Sequence, residues 1–204
     1  MKKTFLLLLT ILLISCNSKS QSNSKNGIIE NGIYTCNLFE WKIKIPENYT
    51  VRTLKQKEDL EEVGYDKVKK ETPDGVTVRK NRPHLIGFGL DDKNYFSSSL
   101  ESLKGTKILP LPEHQKFLAK LTSDTYSKIN GIEFNQKLSS EKIGKYDFYK
   151  IESEIYNQKT SELLLTQVVY NTYIDENLFS ISINYSDEKV NKVLTENFVN
   201  SLTE

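Results

Sequence analysis

The sequence predicts an α+β domain in which an antiparallel β-sheet carries helices packed on its faces. Three observations predict it. Between residues 149 and 185 three consecutive segments alternate apolar and polar side chains with period two, as an antiparallel meander requires. Val190, Val193, Leu194, Phe198 and Leu202 then recur at helical spacing, so an amphipathic helix would lie across that sheet. A second helical pattern, Phe117, Leu118, Leu121 and Tyr126 within Pro112 to Lys128, stops at Asn130-Gly131.

The chain opens with Met1-Lys2-Lys3 and an apolar run from Phe5 to Ile14, broken only by Thr10. A membrane-spanning helix needs roughly 20 apolar residues to cross about 30 Å, so this run is a secretory signal and not an anchor. It ends in Leu13-Ile14-Ser15-Cys16. The segment resembles a bacterial lipoprotein signal peptide: an aliphatic residue, a tolerated residue, a small residue, then the cysteine that receives the lipid. The resemblance implies cleavage before Cys16, diacylglycerol on its sulfur, and acyl chains such as palmitate in the membrane. Each buried methylene contributes about 0.8 kcal/mol, so two or three chains anchor firmly. An ordinary cleaved signal with an incidental cysteine is the competing reading. Asn17 follows in place of the aspartate that resembles an inner-membrane retention signal, which makes the outer membrane of the bacterial cell envelope the expected address.

Asn17 to Gly27 has no apolar side chain, so burial cannot offset its ordering entropy and it reads as a flexible tether. Its eleven residues reach about 17–20 Å. The expected organisation is a signal peptide over 1–15, lipidated Cys16 with its tether over 16–27, and a single α+β domain over 28–204. The domain's length suffices for one sizeable core. The signal carries two of the 28 basic side chains, leaving 26 against 27 acidic ones in the mature chain. Near-neutral, interspersed charge argues against a nucleic-acid partner. After lipidation Cys36 is the only thiol, so no intramolecular disulfide forms, and a buried inert thiol is expected.

The domain begins with a strand through Gly32 to Phe39 and an alternating one, Trp41-Lys42-Ile43-Lys44-Ile45, ended by Pro46-Glu47-Asn48. Leu54, Leu60, Val63 and Val68 suggest a weak helix over Leu54 to Lys70, and Pro73-Asp74-Gly75 a turn. His84 to Leu90 and Tyr95 to Leu103 read as strands joined by Asp91-Asp92-Lys93-Asn94. In the meander, Tyr149, Ile151 and Ile155 share one face; Leu164, Val168, Tyr170 and Ile174 the next; Phe179, Ile181, Ile183 and Tyr185 the third. Asn157 to Thr160 and Asp175 to Asn177 would join them. Ser186 offers an N-cap to the last helix, with Asp187 and Glu188 near its positive end.

This order, from Trp41–Ile45 into Pro46-Glu47-Asn48-Tyr49 and on to Phe179–Tyr185 and the helix ending Phe198-Val199-Asn200-Ser201-Leu202, resembles the PsbP-like α/β sandwich. The resemblance spans residues 28–204. It implies an antiparallel sheet with helices on its faces, used mostly as a binding or assembly module, and it passes on no catalytic or cofactor-binding residue.

The residues themselves offer little chemistry. His84 and His114 are the two histidines, and neither has a second ligand at metal spacing. Asp91-Asp92 lacks the surroundings of a calcium loop and reads as a turn. Ser97-Ser98-Ser99 has no nucleophile elbow, and Glu152 and Glu154 share a face as any alternating pair does. Gly87-Phe88-Gly89 is not a phosphate loop; its glycines suit close backbone approach or a bulge. The many tyrosines suit half-buried strands, and also carbohydrate or protein contact. No catalytic site, metal or cofactor is expected; the one assigned site is lipid attachment at Cys16. The leading expectation is a non-enzymatic binding or assembly module, held to the membrane by its lipid and meeting a protein partner in the envelope. An immunity-like or secretion-related protective lipoprotein, and an enzyme with residues scattered through the sequence, stay open.

Overall fold

The computed structural model describes residues 22–24, 26–53, 55–56, 83–106 and 108–203. The signal peptide with Cys16 and the turn at Pro73-Asp74-Gly75 lie outside the described residues, as does the helix expected over Leu54 to Lys70 apart from Lys55 and Gln56.

A small antiparallel sheet comes first: β1 (Ser22–Ser24), β2 (Gly27–Glu30), β3 (Ile33–Cys36) and β4 (Lys42–Lys44), in that order. β1 falls within the stretch read as a tether and pairs with β2, Ser22 opposite Ile29. β2 turns into β3 at Asn31-Gly32, with φ of 50° and 75°. Positive φ at both central residues is the tight hairpin turn that an Asn-Gly pair favours.

The main sheet holds β5 (Thr50–Val51), β6 (His84–Gly89), β7 (Tyr95–Ser102), β8 (Ile132–Ile143), β9 (Tyr146–Asn157), β10 (Leu163–Ile174) and β11 (Asn177–Tyr185). Its order is β5-β6-β7-β11-β10-β9-β8, every neighbouring pair antiparallel. Helix α1 (Leu111–Tyr126) connects β7 to β8, and α2 (Glu188–Thr203) follows β11. The expected meander is β9-β10-β11. β8 extends it by a strand that the sequence reading did not assign.

Alternation sorts the main sheet into two faces. One carries Phe148, Tyr170, Phe179 and Phe96, all buried. On it lies α2, whose Phe198 ring meets Phe148 at 5.5 Å and Tyr170 at 5.1 Å. The small sheet packs on the same side, Trp41 edge-on to Phe179 at 5.1 Å. Trp41 Nε1 donates to Ser201 Oγ (3.0 Å), and Asn197 Nδ2 donates to the Lys44 carbonyl (2.7 Å), so α2 is fixed to the small sheet as well. At the turn between β8 and β9, Gly144 has φ of 58°, and any Cβ there would strike the Leu202 carbonyl, so glycine lets the turn close against the end of α2.

One correction concerns the cap of α2. Asp187, not Ser186, is its N-cap: the Asp187 carbonyl accepts from Val190 and Asn191, and Asp187 Oδ1 accepts from Lys189 N (2.8 Å). Ser186 is held by Asn94 of the β6–β7 loop, whose Oδ1 accepts from Ser186 N at 3.0 Å.

Candidate functional site

The opposite face of the main sheet carries α1 alone among the described helices. α1 lies across β8, β9 and β10. Gln115, buried in its second turn, donates from Nε2 to the carbonyls of Ser139 (3.0 Å) and Lys150 (2.7 Å), tying the helix to the β8–β9 pair. Beside the helix, over β6, β7, β11 and β10, a cleft of about 450 Å³ remains.

Register explains its lining. His84 of β6 stands opposite Ser99 of β7, Ser99 opposite Ser180 of β11, and Ser180 opposite Asn171 of β10. All four line the cleft, as one row across four strands. The next row holds Gly87, Ser97, Ser182 and Val169. Because side chains of period two all point to one side, the serines at alternate positions of β7 and β11 bring their hydroxyls to this face together. The helix contributes His114, Leu118, Leu121 and Thr122.

Asn171 is 1% exposed. Its Oδ1 accepts from Ser180 Oγ at 2.7 Å, while its buried Nδ2 has no acceptor. A buried donor left unpaired costs about 1–3 kcal/mol, so such a group calls for an explanation. Also in the lining, Arg52 stacks its guanidinium on Tyr95, 4.1 Å from the ring centre, and donates to the Asp91 carbonyl (2.7 Å). Burial pushes the Tyr95 hydroxyl above its usual range, with Arg52 opposing, so this phenol stays protonated and able to donate.

The sequence placed His84 on a strand and His114 on a helix as unrelated residues; the fold brings both to one cleft, with Glu101. Ser97 and Ser99 face it. Ser98 points the other way, its Oγ donating to the Ile86 carbonyl (2.9 Å) and accepting from Ile86 N (3.1 Å), where the β6–β7 register shifts. The irregularity lies between His84 and Gly87, and a Cβ on Gly89 would crowd the Asn94 carbonyl, as expected of glycines at a bulge and a close approach.

Other candidates have structural roles. Asp91 Oδ1 accepts from Lys93 N (2.7 Å) and Asn94 N (2.9 Å), so the acidic pair is a turn. Glu152 and Glu154 lie on the face away from the cleft, the first paired with Lys150 at 2.9 Å and the second accepting from the Tyr156 hydroxyl. Cys36 is buried, its sulfur accepting from Leu38 N at 3.4 Å. Among the described residues, no group of three or more His, Cys, Asp or Glu side chains is arranged to hold a metal, and no helix is long and apolar enough to cross a membrane.

No family model matches the chain, and no curated protein matches it. Among solved structures it is similar to cyanobacterial PsbP (CyanoP) from Synechocystis sp. PCC 6803, with a TM-score of 0.50 and 10% identity over 94% of this chain and 95% of that one. The fold is therefore PsbP-like, as the order of the elements implied.

Proposed function

We propose that the chain is a lipoprotein of the bacterial envelope, anchored through Cys16, whose PsbP-like domain is a binding module and not an enzyme. The observation that supports binding is the cleft beside α1: its polar groups come from β6, β7, β9, β10, β11, Arg52 and the helix, and their chemistry is hydrogen-bond donation and acceptance. A domain on a lipid tether needs only such a face to hold a ligand or partner near the membrane. The catalytic alternative draws on a specific pairing, His84 opposite Ser99 with Glu101 in the same cleft. Recovery of a chemically altered ligand would favour it over the binding module.

The anchor is tested by labelling cells with an alkyne fatty acid and separating their membranes. The full chain is expected to take the label and sediment with the outer membrane. Cys16→Ala is expected to lose the label and accumulate as precursor or soluble protein. Equal labelling of both would refute the anchor. Crosslinking the lipidated protein in its native envelope, read by mass spectrometry, would name a protein partner.

A further inference from the structure

We infer that the cleft between α1 and the β6-β7-β11-β10 face binds a small uncharged saccharide of one or two rings, with Asn171 donating to one of its oxygens. The inference rests on the binding-module reading and names the ligand class.

Size comes first. About 450 Å³ lies in the lower part of the range of small-molecule sites, and it is too little for a strand or helix of a partner protein. Spacing comes second. Ser99 and Ser180 stand on adjacent strands whose backbones lie about 4.8 Å apart, close to the separation of alternate equatorial hydroxyls on a pyranose ring, and Asn171, hydrogen-bonded to Ser180 at 2.7 Å, continues the row. A serine hydroxyl both donates and accepts, as a sugar hydroxyl does, so such a row suits a ligand of the same dual character.

The third observation is the unpaired donor. Asn171 is held by Ser180 through Oδ1, which fixes the amide plane, and Nδ2 is buried without an acceptor. A ligand hydroxyl or carbonyl oxygen supplies that acceptor.

Charge and apolar surface narrow the class further. The ionisable groups of the lining are Arg52, His84, Tyr95, Glu101 and His114. Arg52 is engaged with the Asp91 carbonyl, Asp92 and the Tyr95 ring. Acid and base are mixed, so neither sign collects to receive a carboxylate, phosphate or ammonium ligand. Leu118 and Leu121 on the helix side, with Val169 and Leu178 on the sheet side, add apolar surface for the C–H faces of a ring.

The test is titration calorimetry and saturation-transfer NMR on the full chain. The neutral probes are glucose, galactose, N-acetylglucosamine, maltose and cellobiose; glucose 6-phosphate and glucuronate are the charged comparators. At least one neutral sugar is expected to bind with a dissociation constant of millimolar or below, and more tightly than either comparator. Asn171→Asp keeps the shape, removes the donor, and is expected to weaken that sugar at least tenfold. Because an acid at a buried position can unfold the chain, Ser182→Phe provides a second variant. It fills the cleft from a half-buried strand position and is expected to abolish binding while the far-UV spectrum is retained. Failure of all five neutral sugars, preference for a charged comparator, or binding undiminished in Ser182→Phe would each overturn the inference. Such a failure with a protein partner still captured in the envelope would remove the saccharide and leave the binding module standing.

Discussion

Asp91 shows how much a single exposed side chain can organise. Its carboxylate accepts from Lys93 N, Asn94 N and Asn94 Nδ2, and Asn94 in turn holds Ser186 at the start of α2. One loop residue thus orders the β6–β7 connection and, through its neighbour, the chain entering the last helix. The hydrogen bond from Asn94, together with those from the two backbone amides, lowers the Asp91 pKa from its ordinary value of 3.8, and nearby Arg52 adds to the shift. A carboxylate whose folded pKa is depressed contributes stability above its unfolded pKa, and that contribution is lost as pH falls through the folded value. Asp91→Ala is expected to cost about 1 kcal/mol at pH 7, a small figure because the group is exposed. Melting midpoints of the two proteins, compared from pH 7 down to pH 2, should converge below about pH 4. A gap that stays constant with pH would show that the charge of Asp91 is not what holds the loop.

Among the elements, legibility followed periodicity. β9, β10, β11 and α2 were readable because long apolar repeats of period two and 3.6 leave one consistent assignment. β8 was missed because from Ser139 to Lys142 it is exposed, so the alternation of Ile132, Phe134 and Leu138 fades half-way along. β2 was missed although Asn31-Gly32 between two short runs is a strong hairpin signal. The cleft was not: period two tells which residues share a strand face, but not which face a helix will cover or which strands become neighbours. His84, His114 and Asn171 meet only because β7 pairs with β11 across the α1-β8-β9-β10 excursion. α2, the most legible element, carries the sharpest prediction at this scale. Phe198 is fully buried between Phe148 and Tyr170, and Phe198→Ala would leave a cavity there. The expected loss is about 3–5 kcal/mol in chemical denaturation. An unchanged midpoint would mean that α2 does not close the core.

The whole molecule divides its work between the two faces of one sheet. The α2 face, with the aromatic cluster and the small sheet stacked on it, holds the fold together; the α1 face, which α1 covers only in part among the described residues, carries the polar cleft. Among the described strands β8 and β5 are the sheet's edges, and α1 covers β8, β9 and β10 while the cleft lies over β6, β7 and β11. β8 is a long edge of twelve residues, and Glu133, Lys137, Glu141 and Lys142 place exposed charges along it, which opposes pairing with a second chain. Backbone amides should therefore differ in how they open. Those of β10 and β11 need global unfolding to exchange, since neighbouring strands hold them and core side chains seal them. Amides of the β8 edge and of two-residue β5 need only local opening. Native-state hydrogen exchange is expected to give opening free energies in β10 and β11 that equal the global stability, and values several kcal/mol lower at both edges. Uniform protection across all seven strands would contradict this difference between edge and interior strands. Protection highest in β8 would overturn it, making the long charged edge the most stable strand of the sheet.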